Sequence, residues 1–154
     1  MNIHFVCAGN TNRSRMAEAY LNSKKIPNVT ASSSGIRAED NLNGPICSYS
    51  KHILEENNII NFTSSTWTQC SNKIISTADI VIFMQPEYLE YVQKELKISP
   101  LHYEIWNIPD VPVRDTPLGE QVDVTLETER LAYDEKIYGM IVEKVDDLIH
   151  RLLK

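Results

Sequence analysis

Apolar residues along this chain follow two rhythms. Short solid runs, such as residues 3–6 and 78–84, offer no polar face, whereas longer stretches repeat apolar positions every three or four residues. The first rhythm predicts a buried strand over 3–6. The second predicts a helix over 13–23 with Met16, Ala17, Tyr20 and Leu21 on one face. A second strand is expected over 29–33, closed by Gly35. Gly44-Pro45 is expected to open a helix, because proline at the first helical position loses no needed donor, with Ile46, Tyr49, Ile53 and Leu54 as its apolar positions. Residues 78–84 read as a strand covered on both faces, as in a parallel sheet. A helix over 86–96, a strand over 102–108 and a long helix over 125–153 complete the pattern. The last helix carries Ile137, Ile141, Val145, Leu148 and Leu152 on one stripe. Strands alternating with helices predict an α/β fold: one domain over residues 1–154, an open parallel sheet of about four strands, helices on both faces, and right-handed crossovers.

Length and charge narrow the partners. A chain of 154 residues can bury a core without disulfides or metals. Its net charge of −6 argues against nucleic acid or an anionic membrane as the main partner. An anionic substrate therefore needs a local positive site. No apolar run is long enough to cross a bilayer, and the first residues read as a strand rather than a secretory signal. Cys7, Cys47 and Cys70 are too few and too far apart for a disulfide framework, so a reduced, cytoplasmic enzyme or binding domain is expected. Cys47 is expected in a helix core and Cys70 in a loop. The four histidines are scattered without ligand spacing, and no metal site is expected.

The chemistry concentrates between the first strand and the first helix, in Cys7-Ala8-Gly9-Asn10-Thr11-Asn12-Arg13-Ser14. In parallel sheets, ligands bind beyond the carboxyl ends of strands, where the next helix presents unpaired N–H groups and the positive end of its dipole. Small residues at Ala8 and Gly9 let the backbone curl, so that successive N–H groups converge on a tetrahedral dianion. Asn10 tolerates the left-handed angles such a curl demands. A cysteine at the base of the nest suggests a nucleophile. Most of a free thiol is protonated at neutral pH, and making the thiolate dominant takes roughly 4 kcal/mol of preferential stabilisation. A helix terminus supplies about 0.3–2 kcal/mol of that. Arg13 and the hydroxyl of Ser14 are the residues placed to add the rest, and the planar fork of Arg13 also suits two phosphoryl oxygens. The plainer alternative is a buried cysteine ending a strand beside a solvated arginine.

This loop resembles the active-site loop of the low-molecular-weight protein tyrosine phosphatases, Cys-x-Gly-Asn-x-x-Arg-Ser. Met16-Ala17-Glu18-Ala19, Ser33-Ser34-Gly35, Thr77-Ala78-Asp79-Ile80-Val81 and Trp106-Asn107-Ile108-Pro109-Asp110 extend the likeness along the chain. The resemblance implies a phosphorylated protein substrate, no cofactor, and a two-step reaction through a phosphocysteine. Cys7 would be the nucleophile, with Arg13 and the loop N–H groups of Ala8, Gly9, Asn10, Thr11 and Asn12 binding phosphate. Asp110 would be the general acid and base, and Ser14 would hydrogen-bond the sulfur. Asn10 and Ser33 would brace the loop, and a monomer is expected.

Departures from the family pattern matter as much. Asp110 is followed by Val111-Pro112-Val113 where the family has proline and an aromatic, and Asp115 is a competing acid. Residues 36–40 lack an aromatic on the opposite wall. Thr11, where tyrosine-directed members commonly carry isoleucine, is a feature of the family's protein-arginine phosphatases, although threonine also suits a tight polar turn. Asn12 replaces a cysteine that many members use to protect the nucleophile, which removes that disulfide route. Ser65-Thr66-Trp67-Thr68 stands where the family often has His-x-Ala-Arg, so bracing from that side is expected to differ. The cysteine pair of thioredoxin-linked arsenate reductases is missing from 84–91, which excludes that chemistry. Phosphotyrosine hydrolysis, phosphoarginine hydrolysis and weak phosphate binding without turnover remain the three functional classes.

Overall fold

The computed structural model describes residues 1–41, 43–110 and 124–154. Its strands are β1 (Asn2–Cys7), β2 (Thr30–Gly35), β3 (Ile80–Phe83) and β4 (Tyr103–Ile105). Its helices are α1 (Arg13–Ser23), α2 (Ser48–Glu56), α3 (Asn72–Thr77), α4 (Pro86–Lys94) and α5 (Val124–Leu152), with single 3-10 turns at Ala38–Asp40 and Ile60–Phe62. All four strands run parallel in the order β2-β1-β3-β4. The chain leaves β1 toward β2 on one side and returns to β3 on the other. The carboxyl end of β1 is therefore the switch in strand order, where a ligand crevice opens in this architecture.

The core lies on both faces of the sheet. Ile3, Phe5, Val6, Val81, Ile82 and Phe83 are buried in it, with Met16, Ala17 and Leu21 from α1 and Ile137, Ile141, Val145 and Leu148 from α5. Phe5 and Trp106 pack with ring centroids 5.5 Å apart. The stripe expected on α5 is thus the stripe it buries. Among the described residues, no helix is long and apolar enough to cross a membrane.

The main differences from the sequence expectation lie at α2, β4, β3 and α3. Gly44-Pro45 does not open α2. Gly44 sits in the left-handed region at φ +69°, and the chain stays irregular until Cys47, whose backbone N–H donates to the carbonyl of Thr11 at 3.0 Å. Ile46 therefore lies outside the helix, and Cys47 is its buried N-cap rather than a helix-core residue. The fourth strand stops at Ile105 because Asn107 bends the backbone at φ 54°. Beyond the bend the N–H of Ile108 still donates to the carbonyl of Met84 at 2.8 Å, which carries the chain across the end of β3. The third strand is shorter than expected, Ile80–Phe83, and α3 is a helix the apolar rhythm did not indicate. Its one sequence signal is Ser71, the N-cap whose hydroxyl accepts from the N–H of Ile74.

Candidate active site

The loop between β1 and α1 is shaped from behind. Each carbonyl from Cys7 to Asn12 accepts a hydrogen bond on its outer side. Cys7 is held by the N–H of Ile36 at 3.1 Å, Ala8 by that of Arg37 at 2.8 Å, and Gly9 by the Asn41 amide at 2.9 Å. Asn10 is held by the Arg15 guanidinium at 3.3 Å, Thr11 by the N–H of Cys47, and Asn12 by that of Met16 at 3.0 Å. With the carbonyls turned outward, the N–H groups face the other way. Among the described residues, no group of the chain accepts from those of Ala8, Gly9, Thr11 or Asn12, while that of Asn10 points at the Cys7 sulfur at 3.3 Å. Asn10 reaches this conformation at φ 55°. Such a run of inward N–H groups is an anion-binding nest.

Gly35 is what allows the loop to lie so close to the sheet. A Cβ on it would stand 2.5 Å from the carbonyl oxygen of Ala8 and 2.7 Å from the nitrogen of Asn10, both backbone atoms that cannot step aside. The sequence marked Gly35 as the end of a strand and as part of the family likeness at Ser33-Ser34-Gly35, without indicating this close approach.

Cys7 is buried at the base of the loop, and its Sγ and the Ser14 Oγ share a hydrogen bond of 2.8 Å. Behind this pair runs a chain of polar groups. The Asn10 amide donates to Ser14 at 2.8 Å and to Ser33 at 2.9 Å, and its carbonyl accepts from the N–H of Thr68. Ser33 donates in turn to Glu18 at 2.6 Å. Bracing from the 65–68 side thus comes through a backbone N–H rather than a side chain.

Glu18 and Arg15, which look like solvated helix charges in the sequence, are buried. Glu18 also accepts from Thr63 and Ser64, and burial holds its carboxyl above the usual range. Arg15 binds Thr63, the carbonyls of Pro45 and Ser64, and faces Glu18 at 3.9 Å; burial pulls its pKa down. The signal for this pair was opposite charges three residues apart among apolar neighbours, a spacing that sets them on one helix face.

Arg13 is 2% exposed. It donates to Gln85 at 3.2 Å, to the carbonyl of Ile108 at 3.0 Å and to the Tyr88 hydroxyl at 2.6 Å, with its guanidinium 5.3 Å from the Tyr88 ring centre. Burial opposes its charge, but Cys7, Asp110 and Tyr88 outweigh this and raise its pKa above the ordinary value. Asp110 lies 3.3 Å from the same guanidinium, with its side chain 53% exposed at the rim. Cys7, Arg13, Ser14, Asn10, Ser33 and Asp110 are therefore brought together, and Thr11 is buried within the loop. Asp115 and Val111 lie outside the described residues. Gln85, which helps hold Arg13, was not singled out by the sequence pattern; Tyr88, which reads with Tyr91 as part of an amphipathic helix surface, is buried and holds Arg13 instead.

Comparison with known proteins agrees with this geometry. Curated protein sequences give no match. Among solved structures, Vibrio vulnificus Wzb in complex with benzylphosphonate superposes with a TM-score of 0.73 at 21% identity, covering 97% of each chain. A low molecular weight protein tyrosine phosphatase from Streptococcus pyogenes gives 0.72 at 21% identity, covering 99% of this chain and 93% of that one. The YwlE arginine phosphatase from Geobacillus stearothermophilus gives 0.67 at 25% identity, covering 99% and 95%. The sequence model of the low molecular weight phosphotyrosine protein phosphatases matches residues 2–105, a span that holds the whole sheet and the Cys7–Ser14 loop. The chain belongs to that family, and is an enzyme of its class.

Proposed function

We propose that this protein hydrolyses phosphotyrosine in proteins through a phosphocysteine intermediate. The observation that carries the reading is the loop itself: six carbonyls held outward around a buried thiol that Ser14 hydrogen-bonds. In the first step the Cys7 thiolate attacks phosphorus in line, the bond from phosphorus to the tyrosine oxygen breaks, and Asp110 gives its proton to that oxygen. Arg13 and the loop N–H groups take up charge on the three equatorial oxygens. In the second step water attacks phosphorus, its proton passes to the Asp110 carboxylate, and the sulfur–phosphorus bond breaks to regenerate the thiolate. Ser14 stabilises the departing sulfur. Asp110 supports this role by lying beside Arg13 at the exposed rim, where a leaving group would sit.

Phosphoarginine is the second reading. Thr11 favours it, as does the absence of an aromatic wall at residues 36–40, where Arg37, Glu39 and Asp40 are exposed. Some structural neighbours are named arginine phosphatases and others tyrosine phosphatases. Three free, buried cysteines fit a reducing, cytoplasmic setting, and a monomer without nucleic acid is the expected form.

The experiment is hydrolysis of phosphotyrosine and phosphoarginine peptides, side by side, by the wild type, Cys7→Ser and Thr11→Ile. Faster phosphotyrosine turnover, abolished in Cys7→Ser and little changed in Thr11→Ile, is the expected result. Preference for phosphoarginine that Thr11→Ile reverses would make Thr11 the selector. Turnover that survives Cys7→Ser would sink the phosphocysteine mechanism.

A further inference from the structure

Helix α5 touches the site at two adjacent residues. The Tyr133 hydroxyl donates to the backbone carbonyl of Asp110 at 3.0 Å. Asp134, fully buried, accepts from the Asn12 side-chain amide at 2.8 Å and from Arg130 Nε at 2.9 Å. Asn12 is the last residue before α1, and its own side-chain carbonyl accepts from Ser50 of α2 at 2.9 Å. The side chain of Asn12 is thus committed sideways, to α2 and α5, rather than to capping α1. A carboxylate with no exposed surface is costly unless it is paired and hydrogen-bonded, and here Arg130 and Asn12 meet that requirement. One helix turn further on, Ile137 and Ile141 begin the buried stripe that fixes α5 to the core.

We propose that Tyr133 and Asp134 are positioning residues that set the separation between the acid and the phosphate loop. The inference rests on the catalytic reading above. Asp134 holds the loop through Asn12, and Tyr133 holds the backbone of Asp110, so neighbouring positions on one rigid helix fix both ends of the reacting span. An acid on an irregular segment, with a half-exposed carboxylate, needs its backbone held in place to stay within hydrogen-bond reach of a leaving oxygen. Chemistry of this kind tolerates displacements of only about 0.5 Å, which is why such tethers matter.

Leaving groups separate this role from a merely structural one. 2,4-Dinitrophenolate departs without a proton, whereas phenolate needs the acid. kcat/KM is measured on phenyl phosphate and 2,4-dinitrophenyl phosphate for the wild type, Tyr133→Phe, Asp134→Asn and Asp110→Asn. Asp110→Asn should lose roughly 100-fold or more on phenyl phosphate and far less on the dinitrophenyl ester. Tyr133→Phe should follow the same pattern at smaller size, about tenfold against less than about twofold, part of what a positioned general acid contributes. Asp134→Asn should lower both rates and weaken competitive inhibition by inorganic phosphate, because it releases the loop. Equal losses on both esters in Tyr133→Phe, or none, would overturn the inference if Asp110→Asn discriminates. A wild type that cleaves neither ester, or an Asp110→Asn variant that does not discriminate, overturns the catalytic reading itself.

Discussion

β2 and β3 flank β1 on either side, and most of both is buried, yet one reads Thr-Ala-Ser-Ser-Ser-Gly and the other Ile-Val-Ile-Phe. On the β3 side, burial does what burial usually does: Val81, Ile82 and Phe83 are removed from water, each for roughly 1.5–3 kcal/mol. On the β2 side almost nothing apolar is hidden. Ser32 and Ser34 bond the two ring nitrogens of His4, both at 2.7 Å, Ser33 joins Asn10 to Glu18, and Gly35 lies beneath the loop. A satisfied hydrogen bond nets only about 0.5–1.5 kcal/mol, so this side contributes shape more than stability. Stability sits on one flank of β1 and the apparatus for the loop on the other.

The contrast breaks most visibly under paired substitutions. Ile82→Ala should cost about 4 kcal/mol of unfolding free energy by urea titration, the upper part of the range for deleting a buried isoleucine side chain. The surviving folded fraction should keep its KM and its inhibition by phosphate. Gly35→Ala should do the reverse. Its methyl group must displace the Ala8–Asn10 backbone, and a loss of about 100-fold in kcat/KM is expected, equivalent to about 2.7 kcal/mol of transition-state stabilisation. A Gly35→Ala protein with wild-type kinetics would show that the loop does not depend on that close approach.

The same divide explains what could be read in advance. α1 and α5 were legible, α1 to the residue and α5 to within one residue at each end, because their apolar positions recur at helical spacing. The loop was legible because its chemistry is contiguous: Cys7, Arg13 and Ser14 lie within eight positions. The apparatus behind the loop was legible only at Asn10 and Ser33, and there through the family resemblance. Arg15 and Glu18 carry the residue types of a solvated face, and only the chain returning through Thr63 and Ser64 makes them interior. Asp134 is separated from Asn12 by 122 positions, a pairing that no local pattern encodes. Thr68 acts through its backbone N–H, which is independent of residue type. Hydrophobic periodicity reports where a chain is dry; it is silent on which polar groups the fold then chooses to bury together.

His4 sharpens the comparison through pH. Burial lowers its pKa from 6.5 to about 4, so the folded protein holds it neutral where an unfolded chain would take up a proton. The stability this contributes is complete above the unfolded value and drains away as pH falls toward the folded one. Between pH 7 and pH 5 the loss should be about 2 kcal/mol, read as a fall in the urea midpoint. Glu18, whose carboxyl is held high by burial, works in the opposite direction as pH drops toward its own range. His4→Gln isolates the two: the fall between pH 7 and pH 5 should flatten in the variant, and a slope equal to that of the wild type would remove His4 as its source.

Ser33→Ala carries the smallest expected change and separates the two flanks most cleanly. Removing this hydroxyl takes one acceptor from Asn10 and one donor from Glu18, but Asn10 still reaches Ser14, and Glu18 still accepts from Thr63 and Ser64. The stability cost should therefore be about 1 kcal/mol, the net value of a typical hydrogen bond. Activity should fall further in proportion. Asn10 braces both the loop backbone and the Ser14 hydroxyl that bonds the nucleophile, so a loss of about tenfold in kcat is expected, equivalent to about 1.4 kcal/mol. On the β3 flank the ratio runs the other way, with a large stability cost and little kinetic effect in Ile82→Ala. If Ser33→Ala instead loses stability without losing rate, β2 is an ordinary strand that happens to be polar, and the support of the loop must be sought in Gly35 alone.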